Sequence, residues 1–396
     1  MNRVSTISRL YTNDIKQRRD GSRLYQDMKK YILFLSFNLL IINAKAQITT
    51  GLSLEANASI GNIIKHSKRL IIPATRRNVI GTELHANWQL KGQKPWHEWH
   101  NFPMVGVSLL YLDLGEPNAI GAAIGLCPTI DFKMAKIGPL SITSQVGTGI
   151  GYLTRHYDQF DNPNYNAIGS HLNCMLHLKL RADARLSPTI KAHVGGSFTH
   201  FSNGGARLPN FGMNVPAVEM GIRWTLDTEG VFIRHNLPTT TTKKWGVNLV
   251  AGMALSSSNT RGPKYPIYNV SVAAVRHLST TNQVNFGVGY EQNRLVAEFG
   301  LHAPFIATQH EAFLAGQRWT AFVEDEILFG RVAMVFQTGV YFRRYEGTRN
   351  SWFNKLGLRV YLPPIGHPKT QFHMGFALKA HLATAEYVAF TGGASF

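Results

Sequence analysis

The chain has 396 residues, 44% hydrophobic, 11% aromatic and only 16% charged, with a formal net charge of +18. A soluble domain carries about 25% charged residues, yet outside residues 31–42 there is no long uninterrupted apolar stretch, and a spanning helix needs about 18 or more. This excludes a polytopic helical membrane protein. Frequent aromatic and β-branched residues exclude a disordered chain, and Cys127 and Cys174 alone cannot build a disulfide scaffold.

The first element in chain order is an address. Within residues 28–47, Lys29 and Lys30 form a basic n-region, Tyr31 to Ile42 an apolar h-region, and Ala44-Lys45-Ala46 a small-residue cleavage site. This reads as a secretory signal peptide that leaves Gln47 first. Met28 reads as the start of translation, so residues 1–46 stand outside the fold. The mature chain keeps 32 basic and 20 acidic residues, a net of +12. An exported basic protein is expected to meet acidic or phosphorylated surfaces such as lipopolysaccharide, not nucleic acid.

From residue 48 onward the dominant period is two. The first strand-like segment, 48–63, leads to a loop in which Lys65, Lys68, Arg69, Arg76 and Arg77 cluster, either as a solvated surface or as contacts to phosphate groups. In 80–90, Ile80, Thr82, Leu84, Ala86, Trp88 and Leu90 alternate with Gly81, Glu83, His85, Asn87 and Gln89. His97-Glu98-Trp99-His100 falls one residue short of a zinc-binding H-E-x-x-H, so no metal site is expected. Strands follow near 104–115, 119–133, 139–154 and 168–186. Gly147-Thr148-Gly149-Ile150-Gly151 lacks a following helix and reads as strand glycine. Cys127 and Cys174 could pair after export, or be two small buried residues.

The next strand, 189–202, carries an apolar stripe of Ile190, Ala192, Val194, Gly196 and Phe198, whose parity continues into His200 and Ser202. Residues i and i+2 share a face of a strand. On period alone, the pair reads as polar residues at a membrane interface. Strand 214–227 follows, then a candidate seam at 228–243. Further strands are expected near 244–256, 265–278, 282–292, 315–328, 331–344, 351–363, 371–382 and 385–396. In 245–256, Trp245, Val247, Leu249 and Ala251 alternate with small or polar residues. In 283–291, Val284, Phe286, Val288 and Tyr290 do so, and in 331–343, Val332, Met334, Phe336, Val340 and Phe342. The last strand alternates up to Phe396, as bacterial outer-membrane barrels do.

One face of these strands is apolar, with Trp and Tyr near the ends. The other carries Gly, Asn, Gln, Glu and His, which suits a lumen. The expected fold is all-β: an antiparallel up-and-down transmembrane barrel of roughly 14–16 strands. The alternative is an eight-stranded barrel over 48–227 with a separate C-terminal β region over 228–396. A single barrel is preferred, because two barrels need two closures and a crossing linker. Short turns such as Leu186-Ser187-Pro188 alternate with longer loops such as 155–167 and 203–213, which sets strand 189–202 running outward from a periplasmic N-terminus.

The run His200-Phe201-Ser202-Asn203-Gly204-Gly205, followed by Pro209-Asn210-Phe211-Gly212, resembles the lipid A 3-O-deacylase (PagL-like) family, also called acyloxyacyl hydrolases, with its H-x-S-N-[AG]-G and P-N-x-G patterns. GVSLLYLDLG at 106–115 and IGSHLN at 168–173 look like longer Bacteroidetes members. The catalytic resemblance covers about 95–227. It implies an outer-membrane ester hydrolase acting on lipid A, without a cofactor. Ser202 would attack the ester carbonyl and His200 would carry the proton. Asn203 and the backbone around Gly204 and Gly205 would line an oxyanion hole. Pro209, Asn210 and Gly212 read as turn formers, and the basic loop as a contact for lipid A phosphates. The family's acid, twelve residues after the serine, falls on Asn214. Glu219 is the nearest carboxylate, but its parity is lumenal, with Gly221 and Arg223. Asn214 shares the outer stripe of Pro216, Val218, Met220, Ile222 and Trp224, so it is the expected orienter of His200. The rival reading is a channel or structural barrel that retains the motif. A wide open lumen would favour it. The oligomeric state has no signature in the sequence.

Overall fold

The computed structural model describes residues 51–226, 231–236, 238, 244–257, 262–301, 308–343, 351–363, 370–381 and 384–396. The N-terminal extension, the signal-like segment with its cleavage site at Ala46, and the threonine run at 239–242 lie outside the described residues.

Among the described residues, sixteen antiparallel strands form two closed rings of eight. The first contains β1 (Leu52–Gly61), β2 (Val79–Gln89), β3 (Met104–Asp113), β4 (Ala122–Ile137), β5 (Leu140–Leu153), β6 (Leu172–Arg185), β7 (Ile190–Ser202) and β8 (Met213–Thr225). The second contains β9 (Trp245–Ser256), β10 (Tyr265–His277), β11 (Asn282–Asn293), β12 (Gln317–Phe329), β13 (Val332–Arg343), β14 (Trp352–Tyr361), β15 (Gln371–His381) and β16 (Thr384–Ser395). The expected single closure is therefore corrected to the two-body alternative. β1 pairs β8 in an unbroken register from Ser53↔Thr225 to Gly61↔Ala217, and β16 pairs β9 from Ala389↔Ala254 to Ser395↔Asn248. Each closure removes two sheet edges, whose unpaired N–H and C=O groups cannot be left against lipid.

The alternation sorts residues as the sequence indicates. Ile80 and Leu84 are exposed on the outside, while Glu83, His85 and Asn87 are buried inside. Trp245, Val247, Leu249, Phe286, Val288, Phe336 and Phe342 also face outward. Exposed Tyr111, Tyr152, Tyr268 and Trp319 lie toward one end of the strands, and Trp224 and Trp245 toward the other, as two aromatic girdles. No described helix is long and apolar enough to cross a membrane.

Eight strands leave an interior that side chains can fill. In the first barrel Arg181 reaches Glu55 at 2.7 Å and Asp131 at 2.9 Å, Arg223 reaches Glu55 at 2.7 Å, and Lys179 bonds Glu83 and lies 3.2 Å from Glu219. Beside Asn57, Glu83, His177 and Glu219 only about 10 Å³ is left, room for about one water. The second lumen likewise holds Arg318 and Lys379 on Glu291 and Arg359 on Glu324, beside a cavity of about 40 Å³. Among the described residues, ion pairs cross both lumens, where the rival reading would place an open channel.

The two ends of the first barrel differ. At one end the connections 138–139 and 186–189 are short. The exception is 90–103, which holds α1 (Pro95–Trp99). At the other end the loops 62–78, 114–121, 154–171 and 203–212 fold over the mouth. Their Leu70, Leu114, Ile120, Tyr165, Ala167 and Ile168 join Leu110, Leu112, Leu153, Met175, Phe201, Met213 and Val215 in one buried cluster. Burying each large apolar side chain is worth about 1.5–3 kcal/mol, so the loops are ordered by their own core. The second barrel carries α2 (Arg294–Leu301) and α3 (Gln309–Ala315) between β11 and β12.

Candidate functional site

The site forms where β7 leaves the wall at the loop end. His200 and Ser202 stand on its outer face, two residues or about 6.6 Å apart along the strand, while Phe201 between them enters the buried cluster. The β7–β8 register sets Asn214 directly across from His200, and the β6–β7 register sets Cys174 across from Ser202.

His200 Nδ1 lies 2.5 Å from Asn214 Oδ1. An amide oxygen only accepts, so the ring donates through Nδ1 and its Nε2 carries the free lone pair. Glu219 is buried inside the barrel beside Lys179, on the opposite side of the wall, as its parity indicates.

Ser202 is buried beneath Asn210. The Asn210 Nδ2 group donates to Ser202 Oγ at 2.9 Å, the Gly204 N–H donates to it at 3.1 Å, and Asn210 Oδ1 lies 3.3 Å away. Among the described residues, no hydrogen bond joins Ser202 to His200. Hydrogen bonds between a nucleophile and its base are often long without substrate and tighten only when it binds. Asn203 turns inward to its own loop. Its amide donates to Arg207 O at 2.7 Å and to Ser170 Oγ at 3.0 Å, and its N–H donates to Asn210 Oδ1 at 3.0 Å. The amide that covers the serine hydroxyl is thus that of Asn210, read from the sequence as a turn former, rather than that of Asn203. A loop residue has no period to reveal its direction, and its place in P-N-x-G was the only signal.

Gly212 serves the histidine. Its φ is +82°, and a Cβ there would stand 2.8 Å from His200 Cε1, so the chain passes against the imidazole ring only without a side chain. A second residue that the sequence gave no means of finding is His66. Ile64 N donates to Asn214 O at 2.9 Å, extending β1 alongside β8, and this brings His66 Nδ1 to 3.2 Å from Asn214 Nδ2. His66 Nε2 lies 3.0 Å from Phe211 O.

The five basic residues do not act as one patch. Arg76 pairs with Glu116 at 2.8 Å and Arg77 with Asp113 at 2.5 Å, whereas Lys65, Lys68 and Arg69 are exposed on the loop that carries His66. Cys127 is buried inside the wall and Cys174 exposed outside it, both as free thiols. The H-E-W-H side chains diverge. His97 is buried, which pushes its pKa down to about 4 with help from Lys94. Glu98 accepts from His235 N at 2.6 Å, and His100 lies 2.7 Å from Leu328 O. Residues 147–151 lie within β5.

The second barrel touches the loop that follows the serine. Ser256 Oγ donates to Gly205 O at 2.9 Å, and Lys264 Nζ donates to Ala206 O. A side chain at Gly204 would run into Val388. β16 bulges here, since Tyr387 pairs with Lys379 and Ala385 with Ala380, which leaves Glu386 between them without a cross-strand partner. Its carbonyl oxygen would stand 2.2 Å from a Cβ on Gly205.

Two family models match the chain. One describes lipid A 3-O-deacylase (PagL) and covers residues 80–223, and the other describes the acyloxyacyl hydrolase C-terminal domain and covers residues 243–396. The comparison with curated proteins gives no match. Among solved structures, Neisserial surface protein A is 8% identical with a TM-score of 0.31, over 45% of this chain and 98% of that one. The outer membrane enzyme PagL is 15% identical with a TM-score of 0.29, over 42% of this chain and 97% of that one. Matched by the deacylase model and then by the acyloxyacyl hydrolase C-terminal model, the chain belongs to the lipid A 3-O-deacylase family of the bacterial outer membrane.

Proposed function

We propose that the chain is a serine esterase that removes the ester-linked acyl chain at the 3-position of lipid A. The observation that carries this reading is the hydrogen bond from His200 Nδ1 to Asn214 Oδ1, on the same outer face as Ser202. It leaves Nε2 as the base. Ser202 Oγ gives its proton to His200 Nε2 and attacks the ester carbonyl. The carbonyl oxygen takes up the negative charge and accepts from Asn210 Nδ2 and the Gly204 N–H, the two donors already aimed at the serine oxygen. Collapse of this intermediate breaks the bond to the sugar oxygen, which receives the proton from His200. Water then attacks the acyl-serine by the same relay and releases the fatty acid.

The location suits a lipid. The pair lies outside the wall at the loop end, so acyl chains meet Phe198 and Val218 laterally and avoid the filled lumen. Lys65, Lys68 and Arg69 stand on the neighbouring loop as partners for the phosphates. A neutral amide stabilises the imidazolium less than a carboxylate does, so turnover slower than with a carboxylate orienter is expected. The test is mass spectrometry of lipid A from cells expressing the full chain or Ser202→Ala. Loss of one 3-linked acyl chain with the wild type only, both proteins being heat-modifiable in gels, is the expected result. Unchanged lipid A in both overturns the reading.

A further inference from the structure

We infer that His66 is a positioning residue that fixes which nitrogen of His200 is the base. The inference rests on the esterase reading for its consequence in turnover, but not for its geometry.

With both imidazoles neutral, the donors and acceptors that link Phe211, His66, Asn214 and His200 have one consistent assignment. Phe211 O can only accept, so His66 Nε2, 3.0 Å away, must carry the hydrogen. In a neutral imidazole the other nitrogen is then a bare acceptor. His66 Nδ1 therefore takes a hydrogen bond from Asn214, and only the amide nitrogen can give one, at 3.2 Å. With Nδ2 spent on His66, Oδ1 is the end left for His200, whose Nδ1 must donate to it at 2.5 Å. The proton thus sits on His200 Nδ1, and Nε2 is free to receive the serine proton.

Asn214 needs this help where a carboxylate would not. Both oxygens of a carboxylate accept, so either one enforces the Nδ1–H tautomer. An amide has a wrong end. Flipped, it presents Nδ2 to His200 Nδ1, drives the ring to the Nε2–H tautomer and removes the base. At a triad histidine the wrong tautomer costs about 10⁴ in kcat. His66 is the partner that selects the productive flip, and its placement is built in by the Ile64–Asn214 backbone bond.

The test uses the full chain, labelled with ¹⁵N-histidine and refolded in detergent, with His200 assigned by its loss in His200→Gln. The wild type should show His200 protonated at Nδ1. His66→Gln keeps an acceptor for Asn214 and a donor for Phe211, and should keep that tautomer. His66→Ala should give a mixture. His66→Lys offers only donors, attracts Oδ1, and should move the proton to Nε2. Turnover should follow the tautomer. kcat should fall about tenfold in His66→Ala, a fraction of what general-base catalysis contributes, fall further in His66→Lys and largely recover in His66→Gln, with KM little changed. In an Asn214→Asp background the His66→Ala loss should shrink to under about twofold, since either carboxylate oxygen accepts. A His200 that stays protonated at Nδ1 in His66→Lys, or that carries its proton on Nε2 in the wild type, overturns the inference. The tautomer is read whether or not lipid A is hydrolysed, so failure of the esterase reading and failure of the relay give different results.

Discussion

At the scale of single residues, the separation between Asn214 and Glu219 is a matter of which side of the wall each occupies. Asn214 touches His200, whereas Glu219 lies inside the barrel against Lys179. Asn214→Ala should therefore lower deacylation by about 10²–10⁴, the range of general-base catalysis. Glu219→Ala should leave turnover within about twofold and cost about 1–3 kcal/mol of stability, because Lys179 keeps Glu83 as a partner. Kinetics on lipid A and urea unfolding of both variants check this. If Glu219→Ala alone abolishes turnover in a folded barrel, the assignment of the orienting residue is wrong. Asn210→Ala removes one donor at the serine oxygen and should cost about 10²–10³ in kcat with little change in KM. The resemblance of 200–212 to the family pattern pointed to His200, Ser202 and position 214, and the parity of β8 then assigned Asn214 and Glu219 to opposite sides of the wall. Asn210 and His66 were not legible. Both lie in loops, where no period operates, and His66 meets Asn214 from 148 residues away.

At the scale of elements, strands could be read and their endings could not. All sixteen strands fall where alternation predicts them, because a wall with lipid outside and side chains inside demands it at every turn of the chain. The content of the lumen followed less well. Gly, Asn, Gln, Glu and His were expected to line a hydrated lumen, but eight strands leave too little width, and the buried Glu side chains pair with Arg and Lys instead. The apolar plug at the loop end draws on loop residues such as Leu70, Tyr165 and Ile168, whose burial no strand pattern announces. The β7–β8 connection shows how such a loop serves the site. Gly212 combines a left-handed φ with a close approach to the His200 ring. Gly212→Ala should cost about 1–3 kcal/mol of local strain, displace the ring and lower turnover, while both barrels still shift in heat-modifiability gels. Wild-type turnover in that variant would mean that the ring position is not set by this approach.

At the scale of the whole molecule, the closure was the feature that sequence could not decide. Strand count is the same for one ring or two, and no strand records which partner takes its free edge. The β1–β8 and β9–β16 registers settle it. The second barrel is more than a duplicate of the first. It meets the segment that follows Ser202 through Ser256, Lys264, Val388 and the bulge at Glu386. A bulge leaves one residue outside the ladder and re-aims its side chain. Here the Glu386 side chain turns to Arg318 inside the second barrel, and its carbonyl comes close to Gly205. The Gly204 N–H is a donor to the serine oxygen, so what holds Gly205 and Ala206 also holds that donor. Replacing Ser256 with Ala and Lys264 with Met removes both hydrogen bonds from outside the first barrel. The double variant should lose about tenfold in kcat, less than removal of an oxyanion donor outright, with KM nearly unchanged and both barrels folded. A variant as active as the wild type would show that the first barrel shapes its serine loop alone. A loss confined to KM would mean that the second barrel contributes to lipid binding and leaves the donor geometry to the first.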